Sequence, residues 1–510
     1  MRSIITLLLI QLSLASITSA AEPATHDKTP PLAWRETQRI PAAEAHQAAA
    51  ADREFYYAVT NDKVVKYSRA DSKRVAVSTG PAKHLNSAFL FEGNLLCAHS
   101  NYPTVPEQSE IKLLDTKTMQ LTTFHDFGNF GGSLTWVVLR ENHWWCNFAK
   151  YGDQNAETFL VKFNRDWKEV GRWTYPESVI KELHRMSLSG GIWYQHQLLV
   201  TGHDDGVFFV LDLPAKGTVL EHVRTVRMPF TGQGFAYDPV TFGLIGIDRK
   251  KRELVMAQLD PSQPLRLRVM SYNIHHGEGM DRKLDLERIA RVISSVEPDL
   301  VGLQEVDKNV ERSGKGDQAI ELGKLTKLKA TFGGNIKLQG GEYGNAILFH
   351  EQFTQISGHN QALPNFTGSE QRGLLQVTFT KFHHSSGIPI YATHFDHHPK
   401  DNDRLASSFF IGRETARITE PAILVGDFNA RPESETIKEL EKTWTRTNKD
   451  PLPTVPVEKP THQIDYIFVK PANRFRIIKT EVLPEAVASD HRAIWAEVEL
   501  LPSQNVDVTK

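Results

Sequence analysis

Hydrophobic and polar positions follow different patterns in the two halves of the chain. Residues 52–259 contain short runs rich in Val, Tyr, Phe, Trp and Leu that alternate with Gly, Asn and Asp turns, and helical periodicity is scarce. Residues 267–500 instead alternate short apolar runs with segments of helical spacing, such as 284–296, which Pro298 ends. The pattern predicts two domains: an all-β front domain, and an α/β back domain of two packed sheets with helices outside.

A repeated register occurs within the predicted front domain. Apolar runs at 94–99, 143–148, 197–202 and 243–248 are each followed by another at 110–114, 158–163, 206–211 and 252–257. The spacing of about 45 to 55 residues is that of propeller blades, so the pattern predicts a small β-propeller of about five blades, with a β-sandwich as the alternative. Cys97 and Cys146 hold equivalent positions in successive repeats, which predicts neighbouring blades rather than a disulfide.

Polar side chains stand at six strand ends of the predicted back domain. They are Asn273, Glu305, His394, Asp427 with Asn429, Asp465, and Asp490 with His491. Any one of them could be a capping or turn residue. Six in one domain of alternating strands and helices favour a single convergent site, because sheet proteins build sites at strand ends.

The motifs around these residues resemble those of a known superfamily. In chain order they are SYNIHHG, GLQEVD, YGNAIL, ATHFDHH, LVGDFNARP, QIDYIFV and SDHRAI, and they span 267–499. The set resembles the endonuclease/exonuclease/phosphatase superfamily of metal-dependent phosphoesterases, which includes deoxyribonuclease I and neutral sphingomyelinases. The resemblance implies a deoxyribonuclease I-like four-layer α/β sandwich and hydrolysis of phosphoric esters.

The same resemblance implies a role for each matching residue. The expected metal ligands are Glu305 as the main ligand, Asn273, Asp465 and Asp490. The expected catalytic residues are His394 facing the phosphate, Asp427 and Asn429 positioning water and phosphate, and the dyad Asp490 and His491. Tyr343, Asn345 and Arg372 are the expected substrate contacts.

The expected cofactor is Mg²⁺, with Mn²⁺ as a substitute, because a carboxylate with water and phosphate oxygens suits a hard cation. No Cys cluster or HExxH spacing indicates a tetrahedral metal. Whether Asp427 or His491 takes the proton of the attacking water stays open. The pairs His275–His276 and His397–His398 suggest a second metal site, but loop histidines facing solvent or a head group are the favoured interpretation.

The chain ends and linkers complete the predicted organisation. Residues 1–20 have the charged start, apolar stretch and small-residue site of a secretory signal. The apolar stretch is too short for a comfortable transmembrane span, so the mature protein is expected to be secreted or periplasmic. The further boundaries are a polar lead-in at 21–51, flexible or partly helical, the propeller at 52–259, a linker at 260–266, the phosphoesterase domain at 267–500 and a tail at 501–510.

The predicted function is that of an exported, divalent-metal-dependent phosphodiesterase acting on a lipid head group or small phosphodiester. An extracellular nuclease and a non-catalytic binding protein are the alternatives. Lys and Arg number 59 against 61 Asp and Glu, and this balance disfavours a strongly electrostatic grip on nucleic acid. The propeller would bind a ligand or protein, or support the enzyme.

Overall fold

The computed structural model describes residues 33–381 and 387–502. Within these residues the chain forms five four-stranded sheets, two six-stranded sheets and five α-helices. The predicted signal segment 1–20 and all but the first two residues of the predicted tail 501–510 lie outside the described residues. Among the described helices, none has both the length and the apolar composition needed to cross a bilayer.

The front domain, residues 33–260, contains all five four-stranded sheets, and each of them is antiparallel. Its elements are β1 (Trp34–Pro41), β2 (Ala48–Ala51), β3 (Phe55–Val59), β4 (Val64–Ser68), β5 (Arg74–Val77), β6 (His84–Phe91), β7 (Asn94–Ser100), β8 (Ser109–Leu114), β9 (Leu121–Gly128), β10 (Ser133–Arg140), β11 (His143–Ala149), β12 (Phe159–Phe163), β13 (Glu169–Thr174), α1 (Glu177–Ile180), β14 (Gly190–Tyr194), β15 (Gln197–Thr201), β16 (Val207–Asp212), β17 (Glu221–Arg227), β18 (Ala236–Tyr237), β19 (Leu244–Asp248) and β20 (Glu253–Leu259). The sheets are β2–β5, β6–β9, β10–β13, β14–β17, and β18–β20 completed by β1.

The repeat seen in the sequence corresponds to the second and third strands of the later four sheets. The predicted second strands are β7, β11, β15 and β19, and the predicted third strands are β8, β12, β16 and β20. Cys97 and Cys146 lie at equivalent places on β7 and β11, and both are buried free thiols. The expectation that they form no disulfide is therefore confirmed.

The predicted lead-in at 21–51 is wrong for its described second half. Residues 34–41 form β1, which pairs antiparallel with β20, so that Trp34 faces Leu259 across the ladder. Residues 48–51 form β2, the first strand of the first sheet. The last sheet is therefore assembled from both ends of the front domain, and the chain must bring them together to complete it.

The first strands of the five sheets lie next to one another. Contacts join β2 to β6, β6 to β10, β10 to β14, β14 to β18, and β18 back to β2. The small side chains of Ala48–Ala51 are fully buried there. Larger apolar side chains fill the space between sheets, and Trp34, Trp136 and Trp145 belong to the same buried cluster.

The back domain consists of two stacked six-stranded sheets with helices outside. Its elements are β21 (Leu265–Asn273), α2 (Leu286–Ser294), β22 (Leu300–Lys308), α3 (Gln318–Thr326), β23 (Lys329–Leu338), β24 (Gly341–Phe349), β25 (Phe353–Ala362), β26 (Gly373–Lys381), β27 (Ile388–His394), α4 (Asn402–Thr415), β28 (Ala422–Asp427), α5 (Glu435–Glu441), β29 (Thr445–Arg446), β30 (Asp465–Lys470), β31 (Phe475–Val482) and β32 (Ile494–Leu500). One sheet has the order β23-β24-β22-β21-β32-β31, and the other β25-β26-β27-β28-β30-β29.

Three apolar clusters hold these four layers together. Val269 and Val425 lie in the cluster between the two sheets, and the first sheet packs through Met270 on Ile293 of α2. The second sheet packs on α4 and α5 in the third cluster. A Cβ on Gly302 would lie 2.1 Å from Val425 Cγ2, so only glycine permits this approach of the sheets. The predicted four-layer α/β sandwich is confirmed.

Strand direction explains why the polar strand ends meet. β21 and β22 run parallel in one sheet, and β27 and β28 run parallel in the other. β30 is antiparallel to β28, so its first residue, Asp465, faces the last residue of β28, Asp427. β32 is likewise antiparallel to β21, which brings the segment before Ile494 to the same edge. All six strand ends therefore lie at one edge of the sandwich.

The front domain contacts the opposite edge. Arg266 and Arg268, at the start of β21, reach Asp212 at 3.1 Å and Glu141 at 2.9 Å in the front domain. Both arginines also contact Glu497 of β32. The domains are thus joined by partly buried ion pairs at the edge that faces away from the polar strand ends.

Candidate active site

A bulge in β22 turns Glu305 towards the edge of the sandwich. The pairing of β22 with β24 shifts between Leu303 and Val306, which leaves the two intervening residues out of register. Glu305 has a φ of +60°, a conformation that is uncommon for a residue other than glycine. Bulges and positive φ angles both occur where a strand must redirect a side chain, often beside active sites.

Asn273 connects Glu305 with the second sheet. Its Nδ2 donates to Glu305 Oε1 at 3.0 Å and to Asp427 Oδ2 at 3.1 Å. Its Oδ1 accepts from the main-chain N–H of His275 at 3.0 Å. Asn273 is itself 1% exposed, so it orients the two carboxylates from below the surface.

Asp427 is the most strongly perturbed carboxyl group of the site. It is 1% exposed, and its Oδ1 accepts from the main-chain N–H of Asn429 at 2.9 Å. Burial, reinforced by the charge of Asp465, raises its pKa to about 7, although the His491 charge opposes this. Such a carboxyl group exchanges a proton near neutral pH, as a general acid or base requires.

His491 forms a dyad with Asp465. His491 Nδ1 lies 2.9 Å from Asp465 Oδ2, which also accepts from Thr454 Oγ1 at 2.5 Å. His491 Nε2 lies 3.6 Å from Asp427 Oδ2. Burial acts to lower the pKa of His491, but the charges of Asp465 and Asp427 outweigh it and hold the pKa well above its usual range. The imidazole is therefore protonated at neutral pH.

His394 has the opposite character. Arg372 Nη1 lies 3.2 Å from His394 Nδ1, and because a guanidinium only donates, that nitrogen is the acceptor of a neutral ring. Burial, followed by the charge of Arg372, holds the pKa of His394 well below its usual range. Its Nε2 lies 3.1 Å from Asn429 Nδ2 and 3.4 Å from Asp427 Oδ2. Asn429 has a φ of +47°, which turns its side chain back towards the histidine.

These groups border a cleft of about 420 Å³. Its lining residues are His275, Glu305, Arg312, Ile336, Leu338, Tyr343, Glu370, Arg372, His394, His397, Asp427, Asn429, Asp490 and His491. Arg372 is 6% exposed, and its Nε is buried without a hydrogen-bond partner among the described residues. The lining includes the guanidinium groups of Arg312 and Arg372 and three predicted carboxylates, Glu305, Asp427 and Asp490. This combination suits a ligand that carries phosphate oxygens together with a cation.

Most of the predicted site residues come together in this cleft. Eight of them line it: Glu305, Tyr343, Arg372, His394, Asp427, Asn429, Asp490 and His491. Asn273 and Asp465 lie beneath the lining and contact it through Glu305 and His491. Asp465 thus lies on the His491 side of Asp427 rather than beside Glu305.

Asn345 is the one predicted substrate contact that lies apart from the lining. It is fully buried, and its Nδ2 donates to the main-chain carbonyl of Gly373 at 3.1 Å. That bond links β24 to the start of β26, next to Arg372. Asn345 is therefore placed to hold the two sheets together behind the arginine.

Sequence reasoning missed several lining residues. Arg312, Ile336, Leu338 and Glu370 line the cleft, but none of them lies within one of the seven motifs. Arg312 forms paired 2.9 Å bonds with Asp307, the last residue of the GLQEVD motif. Asp307 was therefore the sequence feature that could have indicated Arg312, because a buried carboxylate needs a cationic partner.

Comparison with known proteins agrees with this geometry. The family model described as Endonuclease/Exonuclease/phosphatase family matches residues 270–491. The uncharacterized protein YbhP of Escherichia coli K12 is 24% identical over 256 residues, which cover 47% of this chain and 99% of YbhP.

Solved structures are similar over the same part of the chain. An endonuclease/exonuclease/phosphatase family protein of Bacteroides thetaiotaomicron is 20% identical, covers 47% of this chain and 99% of its own, and has a TM-score of 0.40. A mannosyl-6-phosphatase of the same species is 19% identical, covers 46% and 99%, and has a TM-score of 0.39.

The family match and the convergent strand ends lead to the same conclusion. The matched region begins within β21 and ends at His491 of the Asp465–His491 dyad. It therefore includes every lining residue of the cleft that the sequence predicted. Residues 270–491 of this chain therefore form an endonuclease/exonuclease/phosphatase family domain.

Proposed function

We propose that the protein is an exported, divalent-metal-dependent phosphodiesterase that acts on a lipid head group or another small phosphodiester. The observation that carries the proposal is the meeting of Glu305, Asp427, neutral His394 and charged His491 around one cleft, with a buried Arg372 donor at its side. These are the groups that phosphoester hydrolysis needs: charge stabilisation for the phosphate and an oriented, activated water.

Glu305, oriented by Asn273, fits a hard dication. The amide of Asn273 holds one carboxylate oxygen at 3.0 Å, and Glu305 lines the cleft, where water and phosphate oxygens would supply the remaining ligands. Bound Mg²⁺ would polarise the phosphoryl group and screen its charge. Mn²⁺ is the substitute expected from the same oxygen donors.

Asp427 is the better candidate for the general base. His491 is already protonated at neutral pH, whereas Asp427 with a pKa of about 7 can accept a proton there. A water oxygen would form the new bond to phosphorus, Asp427 would take the water proton, and the ester oxygen would leave and be protonated by solvent. His491 would donate a hydrogen bond to the phosphate, and neutral His394 would be held beside it by Arg372 and Asn429.

The lining of the cleft favours a small or lipid-linked phosphodiester. Ile336, Leu338 and Tyr343 form an apolar side next to Arg312 and Arg372, which suits a phosphate that carries an apolar group. The net charge of −2 offers no excess of basic residues for a sequence-blind grip on nucleic acid. An extracellular nuclease remains the second candidate, since a local basic patch would be enough for a short strand.

We also propose that the five sheets of the front domain form a five-bladed β-propeller. The ring of contacts from β2 through β18 and back to β2 supports this arrangement, as does the completion of the last sheet by β1. The secretory signal predicted at 1–20 supports export to the periplasm or beyond.

Activity on a panel of substrates tests the proposal. Full-length protein with Mg²⁺ would be assayed on bis(p-nitrophenyl) phosphate, sphingomyelin, phosphoinositide-type head groups, plasmid DNA and RNA. We expect hydrolysis of a small or lipid phosphodiester, lost on chelation and reduced on the order of a hundredfold or more by Glu305→Gln. Glu321→Gln, an exposed change on α3, is the matched control.

Two results would contradict the proposal. Near-normal turnover of Glu305→Gln at limiting Mg²⁺ would remove the metal role of Glu305. Absence of hydrolysis across the whole panel, with folded wild-type protein, would favour the non-catalytic alternative.

A further inference from the structure

A pair of histidines lies beside Glu305, immediately after β21. One ring nitrogen of His275, one of His276 and a carboxylate oxygen of Glu305 all lie within 4.8 Å of one another. The two imidazole rings are 4.6 Å apart and inclined at 67°. His275 lines the cleft, and the side chain of His276 is only 12% exposed. Loop histidines that face solvent, the interpretation favoured by the sequence, would not be placed in this way.

The hydrogen bond of His275 fixes which of its nitrogens is available. His275 Nδ1 lies 3.0 Å from the main-chain carbonyl oxygen of Glu278, which only accepts, so Nδ1 carries the proton. Nε2 therefore presents its lone pair. Histidines that bind metals are commonly oriented in this way, by a bond from the other ring N–H to a carbonyl or carboxylate.

His276 has a buried nitrogen that lacks a partner. Its Nδ1 is buried and makes no hydrogen bond within the described residues, while its Nε2 lies 3.7 Å from Glu278 Oε2. A buried polar atom without a partner is costly and rare in folded proteins. An ion bound between the histidines and Glu305 would satisfy this need.

The backbone at all three residues is held in an unfavourable conformation. The φ angles are +45° at His275, +43° at His276 and +60° at Glu305. Each such angle destabilises a residue that has a Cβ, and it persists only where the surrounding structure imposes it. All three potential ligands have this positive φ. Such backbone is expected where a site directs several side chains towards one point.

The charges around the group are compatible with a dication. Arg312, whose charge acts on His276, is paired with Asp307 through two 2.9 Å bonds. Glu305 and Glu278 add negative charge on the side of the histidines. The net charge around His275, His276 and Glu305 is therefore not positive.

We infer that His275 and His276 join Glu305 in binding a first-row transition-metal dication, such as Zn²⁺, Co²⁺ or Mn²⁺, in preference to Mg²⁺. Imidazole nitrogen binds these ions much better than it binds Mg²⁺, which prefers oxygen and gives up its water reluctantly. The inference deepens the proposed function, on which it rests, because it names the class of ion that the same site selects.

Direct binding measurements on full-length protein test the inference. After chelator treatment, Zn²⁺ and Mg²⁺ would be titrated by calorimetry into wild type, His275→Gln and His276→Gln. We expect Zn²⁺ affinity to fall about tenfold or more in each variant, while Mg²⁺ affinity changes by no more than about twofold. His359→Gln, at an exposed histidine of β25 that does not line the cleft, is the matched control and should leave both affinities unchanged.

Pulsed EPR of Mn²⁺-loaded wild type gives a second readout that does not depend on the variants folding well. Coupling of the Mn²⁺ electron spin to ¹⁴N is expected, and it should weaken in each histidine variant. Bound Mn²⁺ without ¹⁴N coupling, or unchanged Zn²⁺ affinity in both folded variants, would overturn the inference. Hydrolysis that depends on Glu305 but shows no nitrogen ligation would leave the proposed function intact, whereas nitrogen ligation without hydrolysis of any phosphodiester would contradict the function instead.

Discussion

Two histidines of the same cleft are held in opposite protonation states by their neighbours. His491 lies between two carboxylates, Asp465 and Asp427, and its pKa is raised well above the usual range despite burial. His394 is buried against the Arg372 guanidinium, and its pKa is lowered well below that range. His491 can therefore donate from Nδ1 to Asp465 and from Nε2 to a phosphate, while His394 keeps a fixed tautomer.

Histidine-selective ¹⁵N NMR of the chelator-treated protein should resolve these states. At pH 7 the His491 ring should carry two protons, because its pKa is raised, and the His394 ring should carry one proton and stay neutral at about pH 6.5, where an ordinary imidazole is half protonated. His491→Gln and His394→Gln identify the two signals. Arg372→Met should raise the pKa of His394, since it removes a charge that opposes protonation. A neutral His491 at pH 7 would refute the assignment.

Asp427, Asn429 and His491 should act as one catalytic unit. Asp427 Oδ1 accepts from the main chain of Asn429, and Asp427 Oδ2 faces His491 Nε2 at 3.6 Å, so loss of any member disturbs the others. Each Ala variant should lower kcat about a hundredfold or more, and a double variant should be little worse than the worse single variant.

The matched control for this series is His359→Ala, at an exposed position of β25. It should keep wild-type kcat. Losses that multiply fully in the double variants would assign Asp427, Asn429 and His491 to independent roles, in conflict with their hydrogen bonding.

At the residue scale, the sequence predicted membership of the site better than the contacts within it. Strand-end residues such as Asp427 and His394 could be identified because an abrupt change from apolar to polar is visible in a single sequence. The pairing of Asp465 with His491, and the bond of His275 to the Glu278 carbonyl, depend on which segments meet in space. Spacing along the chain contains no such information.

At the element scale, the end of β22 depends on a buried ion pair. The Asp307 side chain is fully buried and forms two 2.9 Å bonds with Arg312, whose side chain is 32% exposed. Both residues follow the bulge that carries Glu305. The pair therefore fixes the exit of the strand that carries Glu305, the proposed metal ligand.

Arg312→Met should lower the stability of the back domain by about 2 kcal/mol or more, because it leaves a buried carboxylate without its cation. The double variant Asp307→Asn with Arg312→Met should recover part of the loss, since the uncompensated charge is then gone. Thermal unfolding of the full-length proteins measures both effects. If the single variant melts like wild type, the ion pair does not hold this turn.

Elements in the middle of the repeats were predictable, and those at the start of the front domain were not. Second and third strands such as β7 and β8 are apolar runs with clear turns between them. β1 alternates little, because most of its side chains are exposed, and its partner β20 lies more than two hundred residues away. β2 consists of four alanines, which have high helix propensity, and it becomes a strand because tertiary packing buries it beside the other first strands.

At the scale of the whole molecule, the front domain and the active site lie at opposite ends of the same strand. Arg266 at the start of β21 binds Asp212 of the front domain, and Asn273 at its end orients Glu305. Seven residues of extended chain separate them, which corresponds to about 23 Å. The front domain is therefore unable to contribute side chains to the chemistry through this contact, although it is held firmly in place.

A truncated chain that begins at Pro264 tests this division of labour. It should hydrolyse bis(p-nitrophenyl) phosphate with a kcat within about threefold of the full-length protein, since every residue of the cleft lies after that point. Its melting temperature should fall, because Arg266 and Arg268 lose Asp212 and Glu141 and keep Glu497 as their shared carboxylate partner. A full-length Glu141→Gln variant is the milder control: it removes one interdomain charge pair and should change melting slightly and kcat not at all.

If the truncated domain is folded by circular dichroism and still inactive on every phosphodiester, the front domain supplies part of the catalytic machinery. If activity survives on the small substrate but falls on the lipid or head-group substrate, the front domain acts in recognition at a distance from the cleft.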